Sequence, residues 1–349
     1  MRRTTRALAA LAAIGVSVGA VGSSVSAQTT KAPSAVTYNY APQPLKVHQT
    51  LTVSIPNTLM QNSAVLLANY FHEFSKENLT VKTVVIPNPN SLTPLATGGL
   101  DIGLESWGPN IYNAIASGQK LAVIGNPFSQ LPGLGIYVQS QYKSCAPGCL
   151  RGKTIALGGG LSTSEAAPLA AWLAKSHLNL SDVHILNIPV ISNIPVALSQ
   201  DVAQAANIVP PFQKPLLASG SIKLVDPLAP GNLLNCFVVG PAGIAHPQAV
   251  EAFLRAVART MQDYLKPGFL HRRGMVQAMA QVLGEPTSAV LATDEPIFDP
   301  TLSLSGYGPK VIVQQKTWIS VGGLLNYTTP LPASRVVDSK FLSAALAAK

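Results

Sequence analysis

Four short segments of this chain bring hydroxyl and amide side chains to the same kind of place: Asn57-Thr58, Asn90-Ser91, Ser106-Trp107-Gly108 and Gly160-Leu-Ser162-Thr163-Ser164. Each follows a run with strand character and precedes one with helical character. Such a junction offers the unpaired N–H groups of a helix start and neutral hydrogen-bonding side chains, a combination that suits a polar or anionic solute. The same residues also serve as plain helix caps, and any one loop alone reads that way. Four of them on one cleft read as a binding site. Glu105 closes the strand before Trp107. It is either a partner for a basic group on a ligand or an acid at a strand edge, and facing the cleft it would repel a small anion. Trp107, beside Gly108-Pro109, is either an aromatic platform for a flat or methylated ligand or core packing between lobes.

Covalent chemistry has little support. Gly158-Gly-Gly-Leu-Ser162 resembles a nucleophile turn but lacks the closing glycine of G-x-S-x-G. The six histidines (48, 72, 177, 184, 246, 271) form no H-x-x-x-H or H-x-x-E-H pair. There is no G-x-x-x-x-G-K-[ST] and no G-x-G-x-x-G. No catalytic residue, cofactor or metal is therefore expected. Asp294-Glu295 are adjacent, so their side chains diverge and are expected to face water. His271-Arg272-Arg273 is the only short basic run; it reads as a solvated helix face, and nucleic acid is not an expected partner.

The elements that must position these loops alternate. Leu51–Ile55 has period two and reads as a strand. Ser63–Lys76 has apolar residues at helical spacing and reads as a helix capped by Asn62 or Ser63. Strands follow at 80–86, 100–104 and 121–124, separated by helices, the last of which starts at Pro109 and stops at Gly118. The pattern restarts with strands at 153–157, 183–188 and 205–209 and helices at 166–178 and from Val196. Ser162-x-x-Glu165 fits a capping box, and Pro168 means that the helix after it begins late or kinks. Strand–helix alternation implies parallel sheets with helices on their faces. Two such units joined by two apolar crossings, Leu134–Val138 and Cys236–Val239, imply two lobes, the first discontinuous: 46–135 plus 237–349 for lobe 1, 136–236 for lobe 2. The stretch after Pro247 is expected to be mostly helical and to complete lobe 1.

Residues 1–27 read as a secretory signal: Arg2, Arg3 and Arg6, then Ala7–Gly22 apolar, then Val25-Ser26-Ala27 before Gln28. Cleavage after Ala27 removes three arginines and no acid, lowering the formal charge from +9 to +6. Residues 28–45 read as a polar tail. With 47% hydrophobic and 11% charged residues the chain is no disordered polymer. Export agrees with Cys145-Ala-Pro-Gly-Cys149, where a Pro-Gly turn can close a disulfide, a reading favoured over a metal site because no histidine or second cysteine pair accompanies it. Cys236 is left as a buried free thiol.

Gly98-Gly-Leu-Asp-Ile-Gly103, Ser106-Trp-Gly-Pro109 and Ala116-Ser-Gly-Gln-Lys-Leu-Ala-Val123 resemble, in that order, motifs of the exported substrate-binding proteins of ABC importers of the nitrate, taurine, sulfonate and thiamine-precursor group. Leu150–Ala156 followed by Gly160-Leu-Ser162, and Ala197–Ala205 through Pro211, look like the second-lobe motifs of that group. The resemblance covers about residues 50–345. Ser106, Asp201, Gln204 and the first loop Ile55–Met60 depart from the pattern, so the ligand does not carry over. The resemblance implies a two-lobed periplasmic-binding-protein type II architecture with parallel-dominated sheets and two hinge crossings. It implies a monomer that captures a small solute (a sulfonate, a nitrate-like anion, or a pyrimidine- or flavin-type heteroaromatic) and delivers it to an ABC permease and ATPase. It implies ligand contacts around Asn57, Ser91, Trp107 and Ser162-Thr163, with Asn207 and Phe212 closing from lobe 2. The alternatives are an enzyme of pyrimidine-precursor synthesis on the same fold and a secreted sensor that kept the binding fold.

Overall fold

The structure, a computed structural model, describes residues 38–228 and 233–347, with the backbone alone at Phe128 and Ser129. The expected signal segment and the first part of the tail lie outside the described residues. Twelve strands occur among these: β1 Gln49–Ile55, β2 Leu79–Val85, β3 Ile102–Ser106, β4 Ala122–Gly125, β5 Phe128–Gln130, β6 Gly135–Gln139, β7 Thr154–Leu157, β8 His184–Asn187, β9 Ala205–Ile208, β10 Ile222–Pro227, β11 Asn235–Val239 and β12 Ile297–Phe298.

They form two five-stranded sheets of one design. The first runs β2-β1-β3-β11-β4 and the second, from the matching edge, β8-β7-β9-β6-β10. β1 is parallel to β2 and β3, and β7 is parallel to β8 and β9. The two crossing segments supply the exceptions: β11 is antiparallel to β3 and β4, and β6 to β9 and β10. Each crossing thus inserts itself as the fourth strand of a sheet, and the remaining strands of that sheet run one way. β10 and the small β5–β12 pair carry no sequence signal in the alternation.

Burial follows position in the sheet. Edge strand β2 alternates, with Leu79 and Val81 inward and Thr80 and Lys82 outward, whereas β3 and β9 are buried along their whole length. Strands covered on both faces lose alternation. At Gly103 the missing Cβ leaves room for the Glu105 and Ser54 side chains, the latter's Oγ only 3.1 Å from where a Cβ would stand.

Several helices are shorter than their periodicity predicts. The first ends at Tyr70, and the chain turns at His72 (φ 59°), which leaves Phe71 stacked on Tyr264 (4.0 Å between ring centres) and Phe74 on Phe253 (5.5 Å). Asn62 precedes that helix without capping it, because its amide is bonded to Asn57. The Ser162–Glu165 capping box does not form: Ser162 Oγ donates to Gly159 O (2.8 Å), and Glu165 turns back to accept from Gly158 N (3.0 Å). The helix Ala166–Ala174 accommodates Pro168 in its first turn, where no intrahelical donor is lost.

The described part of the expected tail is strapped down. Gln43 N donates to Glu77 Oε2 (3.1 Å), Leu45 N to Glu77 O (2.9 Å) and Asn39 N to Leu346 O (3.1 Å). Asp294 and Glu295, expected to face water, are both engaged. Asp294 accepts from Lys214 Nζ (2.9 Å), and Glu295 accepts from Gly268 N (2.7 Å) and Leu270 N (2.8 Å). The Cys145–Cys149 disulfide is present and Cys236 is a buried free thiol. His271–Arg273 is exposed. Among the described residues no helix is long and apolar enough to cross a membrane.

Candidate functional site

A cavity of about 90 Å³ lies between the two sheets. It is walled by the loops at the carboxyl ends of β1, β2 and β3 on one side and of β7, β8 and β9 on the other, the place where open α/β sheets present loop groups to a ligand. Asn57, Gln61, Asn62, Asn88, Ser106 and Asn235 come from the first side; Thr163, Ser164, Glu165 and Asn207 come from the second. Pro56, Leu131, Leu134, Pro168, Ile191 and Val209 supply apolar surface.

The amides form a relay. Asn235 Nδ2 donates to Asn62 Oδ1 (3.5 Å), and Asn62 Nδ2 donates to Asn57 Oδ1 (2.7 Å). Asn57 Oδ1 also accepts from Leu59 N (3.1 Å). Across the cavity Ser164 N donates to Ser106 Oγ (2.9 Å), which donates on to Ser164 Oγ (3.0 Å). Next to this link Gly108 lies against the backbone of Ser162 and Thr163. A Cβ placed there would stand 2.4 Å from the Thr163 carbonyl carbon. The two sides therefore meet in a closed arrangement.

Beneath the cavity is a buried polar knot. Glu105 is fully buried on β3, and its Oε2 accepts from Ser91 Oγ (2.8 Å). With its amide oriented to suit its neighbours, Asn88 donates to the same oxygen (2.7 Å) and accepts from Ser106 N (2.8 Å). Burial pushes the Glu105 carboxyl up to about 7, the Ser91 bond working against it. Burial also pushes Glu165 up to about 8, against the lowering effect of Gly158 N–H. Both are carboxylic acids poised to titrate near neutrality.

Of the residues singled out from the sequence, Asn57, Thr163 and Asn207 line the cavity. Glu105 is neither a cleft partner nor a strand-edge acid but the centre of the buried knot, and Ser91 is its hydrogen-bond donor. Trp107 is no platform: it is fully buried, its Nε1 donates to Tyr112 Oη (3.0 Å), and its ring stacks on Tyr307 (5.5 Å). Tyr112 Oη donates to Gln314 Oε1 (2.7 Å), and Gln314 Nε2 to Trp107 O (3.3 Å), so Trp107 pins the helix Tyr307–Val321 to the rest of the fold. That helix begins 200 residues further along the chain, which is why the loop context of Trp107 misleads. Asn90 is exposed in a turn, and Thr58 and Ser162 are half-buried without lining the cavity. Phe212 packs on the apolar cluster of the second sheet.

Ser106 and Ser164, named within the polar loops, also line the cavity, whereas sequence reasoning missed Gln61, Asn62, Asn88, Glu165 and Asn235 as cavity residues. Asn88 sits two positions from Asn90 and Glu165 one from Ser164, so the loops were legible and these facing side chains were not. Asn235 comes from a crossing strand, which no loop signal marks.

Two α/β lobes joined by two crossing strands, with a cavity between them at the carboxyl ends of six strands, define the type II periplasmic-binding-protein architecture. A family model described as "NMT1/THI5 like" matches residues 63–267, and the chain belongs to that family. Among curated proteins no match is found. Solved structures share the fold. The alkanesulfonate-binding protein SsuA from Xanthomonas axonopodis pv. citri, bound to MOPS, is 21% identical, with a TM-score of 0.64 over 84% of this chain and 99% of that one. The periplasmic nitrate-binding protein NrtA from Synechocystis PCC 6803 is 13% identical, with a TM-score of 0.64 over 87% and 89%. The desulfurization enzyme DSZB is 15% identical, with a TM-score of 0.53 over 85% and 99%.

Proposed function

We propose that this chain is the exported solute-binding component of an ABC importer. It captures a small solute between lobes 46–135 plus 237–349 and 136–236 and presents the closed form to a permease with its ATPase. Export follows cleavage after Ala27, to the periplasm or the cell surface, and the mature chain acts as a monomer. The observation that carries this reading is the closed interlobe cavity, lined by neutral hydrogen-bonding groups from both sheets and bridged by Ser106 and Ser164. Lobes hinged on two crossing strands can open to admit a solute and close over it. The similarity to sulfonate- and nitrate-binding proteins supports the same role.

An enzyme reading would have to rest on Glu165, the one titratable side chain among the described lining residues. Among the described lining residues there is no histidine or cysteine, and Cys236 is buried in β11 with burial pushing its thiol well up. The test is thermal denaturation of the purified chain with sulfonates, nitrate, bicarbonate, heteroaromatics, acids and amines. A solute that binds the folded state only raises the melting temperature by mass action. The expected result is a rise with one class, lost in Asn57→Ala and Asn207→Ala. A rise that survives both substitutions, or none with any class, sinks the reading.

A further inference from the structure

A second, larger space opens beside the cavity. The cavity holds about 90 Å³, less than the ~300–1,000 Å³ that sites for organic molecules usually offer, so it suits a compact polar group. The neighbouring groove holds about 650 Å³. Ser164, Pro168, Leu228 and Leu234 face both spaces, so the groove continues from the cavity wall. Two helices make its sides, one from each proposed lobe. Ala167, Ala171 and Lys175 recur at four-residue spacing along Ala166–Ala174 and its C-terminal cap. Val313, Gln314 and Thr317 do the same along Tyr307–Val321. Ala171 is exposed and Val313 is 63% exposed. Aliphatic groups left this open on facing helices form an apolar patch that the chain itself does not cover.

The polar side chains of the groove are already partnered. Lys175 pairs with Asp226. Gln314 accepts from Tyr112 Oη and donates to Trp107 O. Thr317 Oγ1 donates to Val313 O (3.1 Å), and Lys310 Nζ lies 4.8 Å from the centre of the Tyr307 ring. What the groove has left to offer is apolar surface. The cavity is the opposite case. The side-chain N–H groups of Asn57, Gln61 and Asn207 have no acceptor among the described residues, and Asn207 Oδ1 has no donor. The joined space is polar at one end and apolar at the other.

Resting on the solute-binding reading above, we infer that the solute is amphipathic: its polar head occupies the cavity, its aliphatic or aromatic tail lies in the groove, and Ala171 and Val313 determine which tails are accepted. The two helices reach one tail together only in the closed arrangement. Each apolar group buried between them therefore favours closure as well as binding.

Isothermal titration calorimetry of the purified chain tests this with two series, each of constant head group: methane-, butane- and octanesulfonate, and acetamide, butanamide and octanamide. In a series whose head the cavity accepts, affinity is expected to rise ~2–4-fold per methylene buried. Ala171→Phe fills the groove and Val313→Glu puts a charge in it. Both are expected to remove most of that gain and to leave the shortest binder at its wild-type affinity. Both positions are exposed, and circular dichroism melting of the free variants checks that they fold. Affinity that is flat or falls with tail length, or a gain that survives both substitutions, overturns the inference and leaves the solute-binding reading standing. No binding from any member of either series overturns both.

Discussion

Ser106 and Ser164, on opposite sides of the cavity, share a two-way contact: Ser164 N donates to Ser106 Oγ at 2.9 Å, and Ser106 Oγ donates to Ser164 Oγ at 3.0 Å. The contact exists only while the lobes are closed, and the close approach of Gly108 to Thr163 beside it makes closure sensitive to a single methyl group.

Gly108→Ala is therefore expected to block closure. The added Cβ meets backbone atoms, the nearest at 2.4 Å, which cannot swing aside as a side-chain tip can. Small-angle scattering should show the variant holding a larger radius of gyration at saturating solute, with an unchanged melting temperature in its absence. Ser106→Ala is the milder case: losing the shared hydroxyl should weaken solute binding by about 1 kcal/mol. A Gly108→Ala protein that closes like the wild type would show that the lobes meet differently.

Trp107→Phe separates packing from recognition. The ring still fills the space beside Tyr307, but the Nε1 bond to Tyr112 is lost. Urea denaturation should register a loss of about 1 kcal/mol, and solute affinity should stay at the wild-type level. A fall in affinity without a fall in stability would return Trp107 to the cleft.

Glu105 and Glu165 set a pH dependence. Both carboxyls sit above their ordinary value of 4.5 in the folded protein, at about 7 and about 8. Between 4.5 and those values the unfolded chain has released protons that the folded chain keeps, so stability falls as pH rises. Their contribution is complete below 4.5, is lost through 7 for Glu105 and through 8 for Glu165, and then levels off. Glu105→Gln should flatten the first part of that decline, by about 3 kcal/mol at most. Urea midpoints measured from pH 5 to 9 check the slope; a variant as steep as the wild type rules Glu105 out as its source.

The opposite sign is expected at the far end of the first lobe. Arg259 Nη1 donates to Glu77 Oε1 (2.7 Å) and Nε to Glu73 Oε2 (2.6 Å), and Arg255 Nη2 donates to Glu77 Oε2 (2.7 Å), all four side chains being buried. Burial raises the Glu73 carboxyl, but Arg259 and Lys76 together outweigh it and hold the group below its ordinary value. Its contribution is present above the ordinary value and lost as pH falls through the folded one. Glu77→Ala leaves two buried arginines short of a partner and should cost about 3–5 kcal/mol in urea denaturation. It should also loosen residues 39–45, which those arginines and Glu77 tie down through Tyr40 O and Gln43, as hydrogen exchange would detect.

What the sequence by itself determined is the order of the elements and the kind of loop that walls the cleft. Period two in 51–55, Pro109 and Gly118 around one helix, and the restart at Lys153 are local signals, and local backbone preference carries them into strands, helices and their junctions. The loops holding Asn57 and Thr163 were found on that basis, as was Cys145–Cys149, whose partners are four residues apart. Tertiary structure decided what no local pattern encodes. Trp107 went inward because Tyr307 and Gln314 arrive from the far end of the chain. Glu105 was buried where Ser91 and Asn88, on a neighbouring loop, both donate to its Oε2. Asn235 and Ser106 reached the cavity because a returning crossing strand pairs beside β3. Side-chain direction at a cleft depends on contacts between distant segments, and one residue of register separates a core position from a wall.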